Sequence, residues 1–233
     1  MPTWNFRVAE QQTIQGSSDP YFDKVALLLP LTGVDNSTNF VDVKGRTITS
    51  HGGAVISHAQ SKFGNGSGYF NAADESYLTY VSNDNLVGDL TVEAFIYCLD
   101  HTDDREIFSI NNDSSANFLM EIESDDKLRF CLRNDSDSTQ LDLYSSTTIS
   151  RNAWHHVACT VSGSTAYSFI DGTRTASGSI SGTRQQGFSI GNIGRFRSGR
   201  QRYFDGYIQQ FRLTKGLARY VDNFVVPPVF PVR

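Results

Sequence analysis

An all-β fold, a jelly-roll sandwich of two antiparallel sheets, is predicted by three observations. First, short runs of β-branched, aromatic and small residues recur along the chain, separated by clusters of Gly, Asn, Asp and Ser. Second, residues 154–172 hold two such runs. Trp154 to Val161 carries no charge, Gly or Pro, and a polar turn (Ser162, Gly163, Ser164, Thr165) leads into Ala166 to Ile170. Asp171-Gly172 closes that stretch as a tight-turn pair, because Gly accepts positive φ without a Cβ clash. Such a meander needs more strands and a second apolar surface. Third, helical periodicity is almost absent, with only residues 217–221 compatible with a helical turn.

The 233 residues suit one sandwich and one sizeable core, which makes disulfides or metals unnecessary for folding. A net charge of -5 argues against a sequence-independent nucleic-acid binder, whose affinity comes from neutralising phosphates. Cys98, Cys131 and Cys159 are odd in number and sit in expected strands, so they read as buried thiols of a protein assembled in a reducing compartment. The start has no apolar signal region, and no apolar run reaches the ~18 residues of a membrane span. No membrane and no nucleic acid are therefore expected as partners.

In order, residues 1–21 read as an N-terminal arm, polar but for isolated anchors such as Trp4 and Phe6, and residues 22–233 as the jelly-roll domain. The run 25–31 is apolar on both faces, which predicts a central strand that ends at Pro30. Residues 40–49 read as a short irregular pair, 54–58 as a strand, and 63–68 as a glycine-rich turn. Gly64, Gly66 and Gly68 form no phosphate cradle, because no helix follows them. Strands follow at 69–71 and 77–81. Residues 90–99 give the longest strand and a central one. A meander covers 106–110, 117–123 and 128–133, followed by 141–144. Later strands are expected at 179–180, 187–191 and 203–213, and prolines hold the tail extended.

Ordered blocks then add up to a resemblance. Leu27 to Leu31, Gly64 to Phe70, Leu90 to Ile96, Trp154 to Ala158, Phe169 to Gly172, Ile190-Gly191 and Phe204 to Leu213 together resemble the laminin-G-like branch of the concanavalin A-like lectin/glucanase superfamily. The closing segment from Arg212 to Pro228 resembles the version found in bacteriophage virion proteins. The resemblance implies the jelly roll, but this fold hosts lectins, glycosidases, adhesion modules and inert virion parts.

The side chains bear on four chemistries. Family glycosidases carry Glu-x-Asp-x-x-Glu on one strand. Glu121 and Glu123 come nearest, but the third carboxylate is missing and Asp125-Asp126 reads as a turn, so a solvated strand end is expected. His155 and His156 are adjacent and face apart on a strand, and the resemblance places His156 in the core pattern above Trp154. Calcium is the one metal the family implies, through acidic loops at Asp100, Asp103, Asp104, Asp113, Asp125, Asp126, Asp135 and Asp137. Gln209-Gln210, however, stand where some relatives carry an Asp ligand. Finally, Arg195, Arg197, Arg200 and Arg202 crowd one loop with Phe196 and Tyr203, a basic, aromatic-edged patch suited to an acidic subunit or a charged glycan.

The expected function is a non-enzymatic bacteriophage virion structural protein, assembled in the host cytoplasm and needing no cofactor. It is read as a surface-exposed head decoration or small fibre-like appendage. Its partners would be other virion subunits and its own copies in a homo-oligomer such as a trimer, held through Trp4, Phe6 and one sandwich face. A carbohydrate-binding adhesin touching host glycan is the first alternative, and a glucanase-like glycosidase the second.

Overall fold

The computed structural model describes residues 18–82, 86–99, 102–111, 116–134, 136–182, 189–196 and 202–233. Trp4, Phe6, Arg197 and Arg200 lie outside the described residues. In chain order the strands are β1 (Val25–Leu29), β2 (Thr49–His51), β3 (Val55–Ser57), β4 (Ser67–Phe70), β5 (Tyr77–Val81), β6 (Leu90–Cys98), β7 (Arg105–Asn111), β8 (Ala116–Ile122), β9 (Lys127–Arg133), β10 (Thr139–Thr148), β11 (Trp154–Ser162), β12 (Thr165–Ile170), β13 (Thr173–Ser179), β14 (Ile190–Ile193) and β15 (Gly206–Lys215). Sheet A runs β13-β12-β11-β6-β15-β4-β3, with β1 also paired to β15, and sheet B runs β10-β9-β8-β7-β14-β5-β2. Every strand pair is antiparallel, as a jelly-roll sandwich requires.

The main core lies between the sheets and follows strand alternation. Phe118, Met120 and Ile122 of β8 face inward against Phe108, Phe130 and Phe211, while Leu119 and Glu121 face out. All three described cysteines are buried and free. A second apolar layer explains why β1 and β6 are apolar on both faces. The C-terminal segment crosses the outside of sheet A, where Phe230 and Val226 pack with Val25, Leu28, Phe95 and Trp154. Strand β6 is central, between β11 and β15, but β1 pairs only with β15. The free edge of β1 is closed instead by Asp42 and Val43, which bond to the Leu28 N–H and carbonyl. The segment 217–221 forms no helical turn, and β2 was not foreseen.

A buried ionic network ties this second layer down. Glu93 accepts from Arg212 Nε and Nη2 on one oxygen, and from His156 Nε2 and Tyr220 Oη on the other. Arg212 and Arg219 also hold Asp19, whose N–H bonds to the Arg233 carbonyl. Burial alone would raise the Glu93 carboxyl, but Arg212, His156 and Arg219 outweigh it and hold it at about 2. The His156 ring packs among Phe95, Phe224 and Phe230, while Trp154 meets Tyr97 rather than lying beneath His156.

Gln209 and Gln210 make a bulge where the pairing of β15 passes from β4 to β1. The Gln209 amide accepts from Lys62 and Phe63 N–H and donates to Gly64 and Gly66 carbonyls, so it fixes the glycine-rich turn. Gln210 takes positive φ and accepts from Phe230 N–H.

Candidate functional site

The outer face of sheet B carries the site, and register assembles it. Glu106 stands opposite Glu121, Glu121 opposite Arg129, and Arg129 opposite Tyr144. Polar residues at outward positions of four neighbouring strands therefore form one row. Arg129 reaches Glu121 at 2.7 Å, Glu123 at 3.2 Å and Asp142 at 2.6 Å. Arg202, arriving from the loop before β15, reaches Glu121 at 2.8 Å and Asp104 at 3.0 Å. Glu121 is thus a buried carboxylate clamped by two guanidinium groups, not a solvated strand end.

Two neighbours of Glu121 are pushed toward the protonated form. Glu106 is fully buried, and burial and the Glu121 charge push its carboxyl well above the usual range. Burial, Glu121 and Asp104 push Glu123 up to about 7.

This arrangement decides two expectations. A glycosidase needs two accessible carboxyl groups flanking the scissile bond. Glu121 has both oxygens in ion pairs with Arg129 and Arg202, and Arg129 also holds Glu123, so the Glu121 and Glu123 carboxyl groups do not stand free to flank a sugar. Calcium fares no better. The oxygens of Asp104, Glu121 and Glu123 converge within 4.8 Å, but Arg129 and Arg202 bridge them, and a cation there would have to displace a paired guanidinium. Of the other acidic loop residues, Asp125 pairs with Lys127, Asp126 with Arg151 and Asp137 with Arg133, while Asp100, Asp113 and Asp135 lie outside the described residues. Among the described residues, the acidic groups do not fit the ion.

The described part of the arginine-rich loop folds back onto this face. Arg195 bridges to Tyr203, and Ser109 Oγ donates to the Arg195 carbonyl. Phe196 is 3% exposed and packs on Leu119 and Cys131. The Arg195 guanidinium lies 4.2 Å over the Tyr77 ring, which stacks on His51 at 4.3 Å. Arg195 and Arg202 are therefore engaged with the sheet, while Arg197 and Arg200 of the same patch lie outside the described residues. Tyr203 remains at a boundary. With Glu75, Asp103, Arg105, Ala72 and Ala73 it lines a cleft of about 340 Å³. Arg105 Nε has no hydrogen-bond partner, although Arg105 Nη1 reaches the Asp104 carbonyl at 3.5 Å. Two carboxylates, one guanidinium and a phenol rim a polar hollow whose donors and acceptors match a polyhydroxylated ligand.

Residues 64–217 match the family described as the concanavalin A-like lectin/glucanases superfamily. The chain belongs to that superfamily. No curated protein matches it. Among solved structures, the binding domain of Paraclostridial Mosquitocidal Protein 1 superposes with a TM-score of 0.65 at 16% identity, covering 89% of this chain and 51% of that one. The botulinum neurotoxin serotype G binding domain gives 0.62 at 13%, covering 82% and 48%. The serotype D ligand binding domain, solved in complex with N-acetylneuraminic acid, gives 0.64 at 14%, covering 85% and 49%. The chain spans about half the length of these proteins. They are binding domains that share the concanavalin A-like fold with this chain, and at such identity the likeness shows the fold.

Sequence reading found Tyr203, Arg202, Glu121 and Glu123 but missed Glu75, Asp103, Asp104, Arg105 and Glu106 as one assembly. An alternating polar residue on β7 was visible. Its register against β8, which puts Glu106 opposite Glu121, was not.

Proposed function

We propose that this chain is a lectin-like structural protein of a bacteriophage particle, exposed on its surface as a head decoration or small appendage, whose sandwich contacts host glycan and hydrolyses no glycosidic bond. The cleft under Tyr203 carries the glycan part. It places an aromatic edge beside the Arg105 side chain, Glu75 and Asp103 at the border of the sheet. With two carboxylates against one guanidinium, it suits neutral, hydroxyl-rich sugar rather than the acidic ligand expected from the arginine count. The N-terminal arm, residues 1–21 with Trp4 and Phe6, would hold the protein on the particle or on its own copies in a homo-oligomer.

A glycan array tests the binding reading. Retention of neutral sugars, reduced at least ~10-fold by Arg105→Ala or Tyr203→Ala at unchanged melting temperature, is expected. A silent array, or equal binding by both variants, would refute the cleft. Detection of the chain in purified particles, and its loss when residues 1–17 are deleted, tests the virion role.

A further inference from the structure

The stretch 154–172 together with Ser150 just before it carries a second constellation that the cleft does not use. Ser150 Oγ lies 2.7 Å from His155 Nε2, and His155 Nδ1 lies 2.6 Å from Asp171 Oδ2. Asp171 is not free to turn away. Its Oδ1 accepts from the His156 N–H at 2.8 Å, and its own N–H donates to the His156 carbonyl at 2.8 Å. It occupies the first position of the two-residue turn between β12 and β13, with φ +50°, and Gly172 follows at +77°. The turn and the β11–β12 register, Val157 opposite Ile170, therefore set where the carboxylate stands.

The protonation pattern follows from these bonds. Burial alone would raise the Asp171 carboxyl, but the His155 ring and the His156 N–H outweigh it and keep it below the usual range. A carboxylate only accepts, so Nδ1 of His155 carries the hydrogen. In the neutral ring Nε2 is then the acceptor for the Ser150 hydroxyl. The His155 side chain is 16% exposed, and Ser150 opens to solvent. Nucleophile, base and orienting carboxylate stand in the order and at the spacing of nucleophilic serine catalysis.

We propose that Ser150, His155 and Asp171 form a nucleophilic site that hydrolyses unhindered esters of small carboxylic acids. Ser150 Oγ attacks the ester carbonyl carbon while His155 Nε2 takes the hydroxyl proton. The bond to the alcohol oxygen breaks, and that oxygen leaves with the proton from Nε2. Water then attacks the acyl-serine carbon, Nε2 takes a proton from it, the bond to Ser150 Oγ breaks and the proton returns to Oγ, releasing the acid. Ser150 and His155 are catalytic residues here, and Asp171 is a positioning residue. This goes beyond the binding reading, restricting the non-enzymatic expectation to glycosides. Cleft and triad are separate groups of residues, so either assignment can fail alone.

The test uses the full chain with a fluorophosphonate probe and p-nitrophenyl acetate. Peptide mapping should place one adduct on Ser150. Ser150→Ala and His155→Ala should each lower ester turnover at least ~100-fold at unchanged melting temperature. Asp171→Asn should lower kcat with little change in KM, which a purely structural role would not produce. No adduct on Ser150, or Ser150→Ala turning over as fast as the parent, would overturn the proposal. Undiminished kcat in Asp171→Asn would remove Asp171 from it.

Discussion

At the residue scale, Glu93 and the Glu106–Glu121–Glu123 group show how one residue type is driven in opposite directions by its surroundings. Glu93 is buried with two full ion-pair partners and stays charged, whereas Glu106 is buried beside another carboxyl and takes a proton. Replacing Glu93 by Gln leaves Arg212 poorly compensated inside the fold, and chemical denaturation should report a loss of about 3–5 kcal/mol. The pH dependence follows from the directions. A depressed pKa adds stability that is complete above the ordinary value near 4.5 and lost as pH falls toward about 2. Raised pKa values act oppositely. The contributions of Glu106 and Glu123 are fullest at low pH and fade as pH rises, for Glu123 through about 7. The melting temperature should therefore peak near pH 5, from these two opposing slopes, and decline toward pH 7.5. Glu106→Gln should flatten that decline. An unchanged profile in Glu106→Gln would show that the buried carboxyl is not its source.

At the element scale, strands were legible where alternation or an apolar run was strong, as in β6, β8, β9 and β11. Strand β2, Thr-Ser-His, has no apolar residue to announce it. Strand β1 read as central because its second apolar face is covered by Phe230, a contact spanning about two hundred residues that no local pattern encodes. Register was equally hidden. Glu106 and Glu121 lie on separate runs, and only the β7–β8 pairing brings them together. Ser150 and His155 are near neighbours in sequence, yet the turn that delivers Asp171 had to be seen before their alignment meant anything. The bulge in β15 makes its own prediction. Gln209→Ala removes four hydrogen bonds and strands buried backbone groups of the 62–66 turn, so it should cost about 2–3 kcal/mol by denaturant titration. Gly172→Ala should destabilise as well, because a Cβ there would collide with the Phe224 carbonyl oxygen.

At the scale of the whole molecule, two faces of one sandwich have different work. The outside of sheet A is sealed by the chain's own C-terminal segment, and the outside of sheet B carries the ion row, the folded-back loop and the cleft. A chain ending at residue 216 should bind a hydrophobic dye strongly and lose cooperative melting, since Val25, Leu28 and Phe95 would lose their cover. The fold class and the sites of most strands were open to sequence reading because they rest on periodicity. The cleft was not, because its lining comes from three separate loops and strand ends.

That sealing segment also bears on how the protein comes into being on a ribosome. Strands β6 and β11 emerge well before Phe224, Val226 and Phe230, and β15 ends nine residues before Phe224. During that interval the nascent sandwich presents a greasy flank and an uncovered Glu93. Closing this flank therefore acts as a latch, and a chain stalled between β15 and Phe224 would be a sticky, chaperone-dependent intermediate rather than a slightly shortened native protein.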